Sequence, residues 1–469
     1  MTTQTVAIED IHQEARASWV PMIAIALGQM IMSFNVASLP VAMGGMVTSF
    51  GVAPTTVATG IVAYSMLVAG FVMLGAKLAQ RFGALQVYRG AVVLFCISQV
   101  MMTFSPTASV MISAQALCGA AGSVIVPSLV ALIAENYAGR QQATALGALG
   151  SARAAAGVLA FVVGGVLGTY IGWRPAFGIL IAASAIVFVM SFRLKPDRGR
   201  PDVQIDLVGV LLAASAIILI SFGFNNLNGW GLAVATPNAP FSVLGLSPAP
   251  LMIVLGIVLG QSFLLWTHRR QAAGKTPLLA LAVIDSPEER CAVFALFAVV
   301  ALEAALNFTV PLFGIGQGSL VTLLFNVLVT ASPKALAGDV GSLRGTTQNL
   351  AAAVGTAVAG ALLVGLLSTI ALGKITASPV LTPELQAQVN LDNITFVSND
   401  RLRSALEATN GSPEQVTEAV RVNTEARLRA LKIGLLIMAG LALIAIIPAG
   451  RLPGYLPGDI PSDEAAAKT

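Results

Sequence analysis

The sequence predicts an all-α polytopic membrane protein, and its composition and the grouping of its apolar residues carry this prediction. Apolar residues make up 56% of the 469 residues and charged residues only 10%, whereas soluble domains carry roughly 25% charge. The apolar residues form runs of about 20, the length that a helix needs to cross a hydrocarbon core of roughly 30 Å. An outer-membrane β-barrel is excluded, because its strands would show segments of about ten residues with alternating polarity.

Twelve apolar runs are candidate membrane spans. The region 291–331 is too long for one helix, because about 41 residues would extend roughly 60 Å. We therefore expect a tight external turn near Phe313, where Pro311 and the glycines after it interrupt the run; a re-entrant segment is the alternative. The twelve runs lie at 19–41, 56–77, 85–104, 108–134, 143–170, 174–192, 206–224, 250–267, 291–312, 314–331, 345–372 and 431–449.

Basic residues are distributed unequally between the two sides of the predicted bundle. Seventeen Lys and Arg residues fall in the loops and tails of one side, whereas the short loops of the other side hold only Arg174. Positive charge collects on the cytoplasmic side of membrane proteins, so both termini are predicted to be cytoplasmic in a bacterial-type inner membrane. Residues 1–18 are charged and lack a short apolar core, so no cleaved signal peptide is expected.

The polar loop 373–430 is predicted to be external and to contain two helix starts. Ser398-Asn399-Asp400 precedes an amphipathic stretch, and Ser412-Pro413-Glu414 supplies a cap, a proline in the first turn and an early acid. The second of these helices can continue directly into the last span. Two roles stay open for this loop, a solvated cap and a gate or partner surface.

The composition also excludes several classes of function. The three cysteines lie inside apolar runs and the two histidines lie far apart, so neither a disulfide framework nor a metal site is expected. No phosphate-binding Gly-x-x-x-x-Gly-Lys-[Ser/Thr] loop is present, which points to an ion gradient rather than ATP as the energy source. No nucleophile, base and orienting group can be combined into an enzyme site, no cofactor is implied, and the mild basic charge does not imply nucleic acid.

Two related halves are indicated by repeated sequence patterns. Asn35–Pro40 near the end of the first span resembles Asn307–Pro311 near the end of the ninth, and Gly119–Ser123 resembles Gly316–Ser319. Internal repeats of this kind are typical of transporters. However, Gly119 follows Pro40 by 79 positions in the first half, whereas Gly316 follows Pro311 by only five in the second, so the second half is expected to lack two spans.

These motifs resemble the major facilitator superfamily, and specifically its fourteen-helix drug:proton antiporter branch. The loop Ala76-Lys77-Leu78-Ala79-Gln80-Arg81-Phe82-Gly83 resembles the family pattern Gly-x-Leu-Ala-Asp-Arg-x-Gly, with Gln80 in place of the Asp. The segment 115–119 resembles Arg-x-Leu-Gln-Gly, with Gln115 in place of the Arg that is usually linked to proton coupling. The segment 160–165 resembles the antiporter signature Gly-Pro-x-x-Gly-Gly through its last two glycines.

The resemblance implies a two-bundle fold of about 12 transmembrane helices in a 6+2+4 arrangement. Residues 1–196 would form a six-helix bundle, 197–280 a two-helix linker, and 281–469 a shortened four-span bundle. It also implies a secondary active transporter that exports drugs or other small molecules by alternating access of the two bundles. The residues that the motifs assign to this conformational change are Lys77, Gln80, Arg81, Gly83, Gly164 and Gly165.

Two charged residues are candidates for coupling transport to an ion gradient. Glu303 is the only carboxylate well inside a predicted span, where an ionised group costs roughly 2.5–3.5 kcal/mol and so should face a cavity, a partner or carry a proton. Arg153 is a matching cation in the fifth span, which binds an anionic group or pairs with Glu303. A structural ion pair or a hydrogen-bonded core acid is the alternative for both.

Four intramembrane amides are candidates for lining a substrate cavity, although helix-to-helix hydrogen bonds explain them equally well. We expect a small-molecule substrate, protons or another coupling ion, the lipid bilayer as surroundings, and a monomer. A truncated, non-transporting membrane protein of the same family is the alternative function. The four amides are Asn35, Gln115, Asn307 and Asn326.

Overall fold

The computed structural model describes residues 18–52, 54–137, 139–237, 239–281, 287–305, 337–380, 399–407, 412–444 and 450. Within these ranges the regular structure is helical apart from isolated β-bridges between Val234 and Leu246, which confirms the all-α prediction. The helices described are α1 Val20–Phe50, α2 Pro54–Phe82, α3 Ala84–Thr103, α4 Ala108–Asn136, α5 Gly139–Tyr170, α6 Arg174–Met190, α7 Leu207–Trp230, α8 Pro248–Ala272, α9 Pro287–Ala305, α10 Ala337–Thr376, α11 Asn399–Glu407 and α12 Pro413–Ile444.

Eight of the described helices, α1 to α8, are long and apolar enough to cross a membrane. They coincide with the first eight predicted runs, and α9, α10 and α12 overlap the ninth, eleventh and twelfth. The run 314–331 and the turn expected near Phe313 lie outside the described residues. The 6+2+4 arrangement therefore stays a prediction, while the multi-pass helical character is confirmed.

Several helices continue beyond the predicted apolar runs. Helix α1 was expected to end near Pro40, but it runs on to Phe50, because a transmembrane helix tolerates a proline whose freed backbone groups find other partners. It ends at Gly51, whose φ of 64° allows its N–H to bond the Val47 carbonyl at 3.0 Å.

Helix α12 begins where the sequence indicates a cap. The Gln415 N–H donates to Ser412 Oγ at 3.3 Å, and the Ser412 N–H donates to Gln415 Oε1 at 2.9 Å, which is a reciprocal capping box. The helix then continues to Ile444 without a break, as the sequence suggested for this segment.

The first six helices share one large buried core, and α10 brings the second half of the chain against it. Helix α2 packs along α4, α1 along α5, and α3 along both α4 and α6. Close approach of α4 to α2 depends on Gly119, where a Cβ would lie 3.0 Å from the Tyr64 Cα. Helix α10 packs against α9 and also against α2, α4 and α7, so it is the main contact between the two halves.

Helices α7 and α8, which form the predicted linker, are joined by the buried carboxylate of Asp206. This side chain accepts from the Gly209 N–H at 3.0 Å and from Trp266 Nε1 at 3.0 Å, and it forms an ion pair with Arg270 at 3.4 Å. The carboxylate thus caps α7 and fixes α8 beside it. Helix α7 in turn contacts both α2 and α10, so the linker lies beside the junction of the two halves.

Candidate functional site

A buried ion pair crosses between the two halves at the end of α2. Lys77 Nζ lies 3.0 Å from Oδ1 and 3.0 Å from Oδ2 of Asp339, which is in the first turn of α10. The two residues are 2% and 0% exposed. Because charges this deeply buried are stable only when they are paired and hydrogen-bonded, each of them requires the other.

Two further donors complete the coordination of Asp339. Gln80 Nε2 donates to Oδ1 at 3.0 Å, while Gln80 Oε1 accepts from Lys77 Nζ at 3.1 Å. The Ala280 N–H, at the end of the linker, donates to Oδ2 at 3.3 Å. First half, linker and second half therefore converge on one carboxylate. We call Lys77, Gln80, Ala280 and Asp339 the cross-bundle cluster.

The rest of the α2–α3 loop is held by its own hydrogen bonds. Arg81 Nη1 donates to the Val203 carbonyl at 3.4 Å. Gly83 has a φ of 93°, and the two N–H groups that follow it donate to the Asp197 carboxylate at 2.5 and 3.0 Å, so this acid caps the N-terminus of α3. The loop residues named by the sequence motif are thus brought together around the cross-bundle cluster.

Asn35 and Gln115 contact each other inside the first bundle. Asn35 Nδ2 donates to Gln115 Oε1 at 3.2 Å, and Gln115 Nε2 donates back to Asn35 Oδ1 at 3.3 Å. Gln99 Nε2 on α3 donates to the same Asn35 oxygen at 3.3 Å and to Cys118 Sγ at 3.4 Å. All four side chains are 0% exposed, an arrangement that tethers α1, α3 and α4. Contact with a substrate stays a prediction for Asn35 and Gln115.

Arg153 and Glu303 are the proposed coupling residues. Arg153 is half-buried on α5, within electrostatic range of Tyr64 on α2 and of the buried Arg344 on α10. Glu303 belongs to the last turn of α9, but its side chain lies outside the described residues, so its pairing with Arg153 stays a prediction. Asn307 and Asn326 also lie outside the described residues.

The glycines of the antiporter-like segment lie on α5, facing α1 at one position. A Cβ on Gly164 would be 3.3 Å from Val41 Cγ1, so this residue allows close approach of α5 to α1. A Cβ on Gly165 would meet open space. Packing explains Gly164, and the hinge role of both residues stays a prediction.

A cleft of about 450 Å³ lies at the opposite end of the first bundle. It is formed where α1 ends and where α5 connects to α6. This is the end at which α2 begins, whereas the cross-bundle cluster lies near the end of α2. Its most polar group is the guanidinium of Arg174. The residues that line it are Gly44, Gly45, Thr48, Ser49, Ile171, Gly172, Trp173 and Arg174.

Sequence reasoning missed two residues of these clusters. Asp339 falls between the predicted runs 314–331 and 345–372, where an acid attracts no attention, although the absence of the motif acid at Gln80 points to a replacement carboxylate nearby. Gln99 was overlooked because a single amide in an apolar span gives no periodic signal. Its position on α3 next to Asn35 follows only from the packing.

Known proteins that resemble this chain include an export protein and a probable transporter. It is 27% identical over 184 residues to the cephamycin export protein CmcT of Amycolatopsis lactamdurans, a match that covers 38% of each chain. It is 24% identical over 395 residues to the probable actinorhodin transporter of Streptomyces coelicolor, covering 67% of each chain. The match thus spans well under half of the length of the first of these relatives.

A solved structure and a family model also match this chain. A crystal structure of the peptide transporter POT covers 90% of this chain and 94% of its own at 12% identity, with a TM-score of 0.42. Residues 25–356, which is most of the chain, match the Major Facilitator Superfamily. The chain therefore belongs to the Major Facilitator Superfamily.

Proposed function

We propose that this protein is a secondary active transporter that exports small molecules by alternating access of its two bundles. Membership of the family supports transport, and the relatives described as an export protein and a transporter support export. The observation within the structure that carries the proposal is the cross-bundle cluster. It connects α2 of the first bundle to α10 of the second through one buried ion pair.

The cross-bundle cluster is suited to closing one end of the molecule reversibly. Lys77 and Asp339 stabilise each other as long as α2 and α10 stay in contact. If the helices separate, both charges become hydrated, so the open state is also satisfied electrostatically. A gate requires such a contact, in which the charges are stabilised both when the helices are together and when they are apart. By the distribution of basic residues this end is the cytoplasmic one, with both termini on the same side of an inner membrane.

An ion gradient is the proposed source of energy, and Glu303 is the proposed coupling residue. The backbone of Ala301 on α9 lies so close to Gly355 of α10 that no Cβ would fit there. Glu303 follows two residues later in the same helix, so a change in its charge acts on the helix that packs against α10. Helix α10 also carries Asp339, which links the coupling residue to the gate through one rigid element.

The test is energised flux in proteoliposomes that contain the full chain. Ethidium and carboxyfluorescein serve as a cationic and an anionic probe, and a pH gradient is imposed across the membrane. We expect transport of at least one probe, lost in Glu303→Gln and retained in Glu414→Gln, which changes an exposed acid at the start of α12. Flux that is unchanged in Glu303→Gln would remove the coupling assignment.

A second candidate function is a truncated, non-transporting membrane protein of the same family. The short spacing from Pro311 to Gly316, five positions against 79 from Pro40 to Gly119 in the first half, favours this alternative. It predicts no energised flux of either probe, with correct membrane insertion. Insertion of the two missing spans would then be expected to create flux that the chain as it stands does not have.

A further inference from the structure

The cleft at the end of the molecule opposite the cross-bundle cluster has the size and the polar groups of a ligand site. Its volume of about 450 Å³ falls in the range of roughly 300–1,000 Å³ that is typical of small-molecule sites. Glycines form much of its wall, and a Cβ on Gly44 or Gly172 would meet nothing within 4 Å. The space at these positions is therefore open to a ligand.

The guanidinium of Arg174 is fixed in position at this cleft. Its Nη1 donates to Ser49 Oγ at 3.1 Å, and its Nη2 donates to the Ser105 carbonyl at 2.9 Å. The same group stacks on the ring of Trp173 at 4.6 Å and lies 5.8 Å from the centre of the Phe50 ring. A guanidinium has five N–H donors, so three stay available after these two bonds. The cation is thus preorganised for a further acceptor.

The charge of Arg174 is not balanced by an acid near the cleft. The segments 41–52, 103–109 and 169–177, which surround it, contain no Asp or Glu. In the part of the chain that the structure describes, no carboxylate lies within ion-pair distance of this residue. It is also the only basic residue in the short loops of the predicted outer side, where positive charge is otherwise avoided. We therefore expect an anion from outside the protein to be the partner of Arg174.

Trp173 supplies an independent indication of a missing acceptor. Its side chain is 4% exposed, and its Nε1 is buried with no hydrogen-bond partner among the described residues. The ring packs against Gly45, which also lines the cleft, since a Cβ there would lie 3.1 Å from Trp173 Cδ1. Buried indole N–H groups usually have an acceptor, so this unpaired donor next to the cation adds to the local excess of donors over acceptors.

We propose that this cleft is an outer subsite that binds a small molecule with a carboxylate or phosphate group on an apolar body. Arg174 binds the anionic oxygens, the hydroxyls of Thr48 and Ser49 supply further polar contacts, and Ile171 contacts the apolar part. That the ligand is cargo on its way out rests on the proposed function; the binding itself does not. The same chemistry is present in a soluble organic anion and in the head group of an anionic phospholipid.

Isothermal titration calorimetry of the full chain in neutral detergent micelles tests the site. The probes are 1-naphthoate and its uncharged analogue 1-naphthamide, with protein-free micelles as a blank. We expect naphthoate to bind at least about tenfold more tightly than naphthamide, since charge-assisted hydrogen bonds supply at least that factor. Arg174→Gln should abolish this preference. Arg193→Gln, an exposed arginine at the other end of α6, should keep it.

Several results would overturn the assignment. They are equal affinity for the two probes, no binding of naphthoate, or a preference that survives in Arg174→Gln. If Arg174→Gln does not fold, Arg174→Lys decides, because it keeps the charge but loses the forked geometry. It should bind naphthoate more weakly and still prefer it to naphthamide, and unchanged affinity would contradict the proposal.

Two further comparisons distinguish a lipid ligand from a soluble one, and the binding proposal from the transport proposal. Competition with naphthoate by phosphatidylglycerol, but not by phosphatidylcholine, would identify a lipid head group as the occupant; naphthoate binding that phosphatidylglycerol leaves unchanged would identify a soluble anion. Binding needs no gradient, so a chain that selects naphthoate but shows no energised flux supports the subsite while the transport proposal fails. Flux without selectivity for naphthoate would overturn the subsite alone.

Discussion

Each end of the first bundle contains a buried or half-buried cation, but only one of the two cations is paired with an acid. At one end Lys77 is 2% exposed and paired with Asp339, which also accepts from Gln80 and from the linker backbone. At the other end Arg174 is held by two uncharged acceptors beside a cleft of about 450 Å³. The first cation has its counter-charge within the protein, whereas the second has no acid beside it among the described residues. We call the end with the ion pair the closed end and the end with the cleft the open end.

The difference between the closed end and the open end therefore lies in whether an acid compensates the cation. Both ends are built from the same helices, since α1 and α2 run from one to the other. The closed end has an acid from the second half of the chain, and the open end has none in the segments around it. Changes that remove the acid or disturb the surrounding turns should therefore affect the two ends unequally.

The largest effect is expected from Asp339→Asn, which leaves the Lys77 charge buried without its partner. Loss of one member of a buried ion pair costs about 3–5 kcal/mol in the free energy of unfolding. Denaturation by SDS in mixed micelles measures this loss. Asp202→Asn is the control, since Asp202 is an exposed acid on the same side of the molecule.

The double variant Lys77→Gln with Asp339→Asn sharpens this result. It removes both charges and leaves only polar groups, so more than half of the lost stability should return. If the double variant is as unstable as the sum of the two single ones, the ion pair is not what holds α2 against α10.

A smaller effect is expected at two turns that require glycine, one at each end. Gly83 has a φ of 93° and Gly172 a φ of 90°, so alanine at either position costs about 1–3 kcal/mol of backbone strain. At Gly83 the new Cβ would also lie 3.2 Å from the Asp197 carbonyl oxygen, whereas at Gly172 it would meet open space. We expect Gly83→Ala to lower the melting temperature more than Gly172→Ala. Equal losses would show that crowding at the closed end is unimportant.

The smallest effect concerns an exposed ionic cluster on α12. Arg421 donates to Glu418 at 2.7 and 2.8 Å, and this hydrogen bonding lowers the pKa of Glu418 from its ordinary 4.5 to about 2. Since the folded pKa is below the unfolded one, the carboxylate stabilises α12 above pH 4.5, and this contribution disappears as the pH falls towards 2. The difference in melting temperature between the wild type and Glu418→Gln should shrink over this range. A constant difference would contradict the assignment.

The membrane-spanning helices could be predicted from the sequence because their signal is local. A run of about 20 apolar residues has one favourable state in a bilayer, which is why all eight of the helices α1 to α8 coincide with predicted runs. Their ends were less predictable. Helix α2 continues beyond its apolar run through Lys77 to Phe82, since the charge of that lysine is compensated by Asp339.

The candidate site was only partly predictable, because its contacts join residues far apart in the chain. The loop motif indicated Lys77 and Gln80, but the acid that they contact, Asp339, lies about 260 residues later. Acidic residues are common between spans, so the sequence does not distinguish this one. Arg174 was visible as an exception to the charge distribution. Its position beside a cleft without an acid follows only from the packing of the helices.

The most direct test of the account is thiol labelling at the open end while the closed end is released. In a chain with Cys96, Cys118 and Cys291 replaced, Thr48→Cys places a thiol in the cleft, and Leu244→Cys, in an exposed part of the α7–α8 connection, is the control. A membrane-impermeant maleimide is applied to intact cells. If the two ends alternate, Asp339→Asn should slow labelling of Thr48→Cys about tenfold and leave Leu244→Cys unchanged. Equal labelling of Thr48→Cys with and without Asp339→Asn would contradict coupling between the ends.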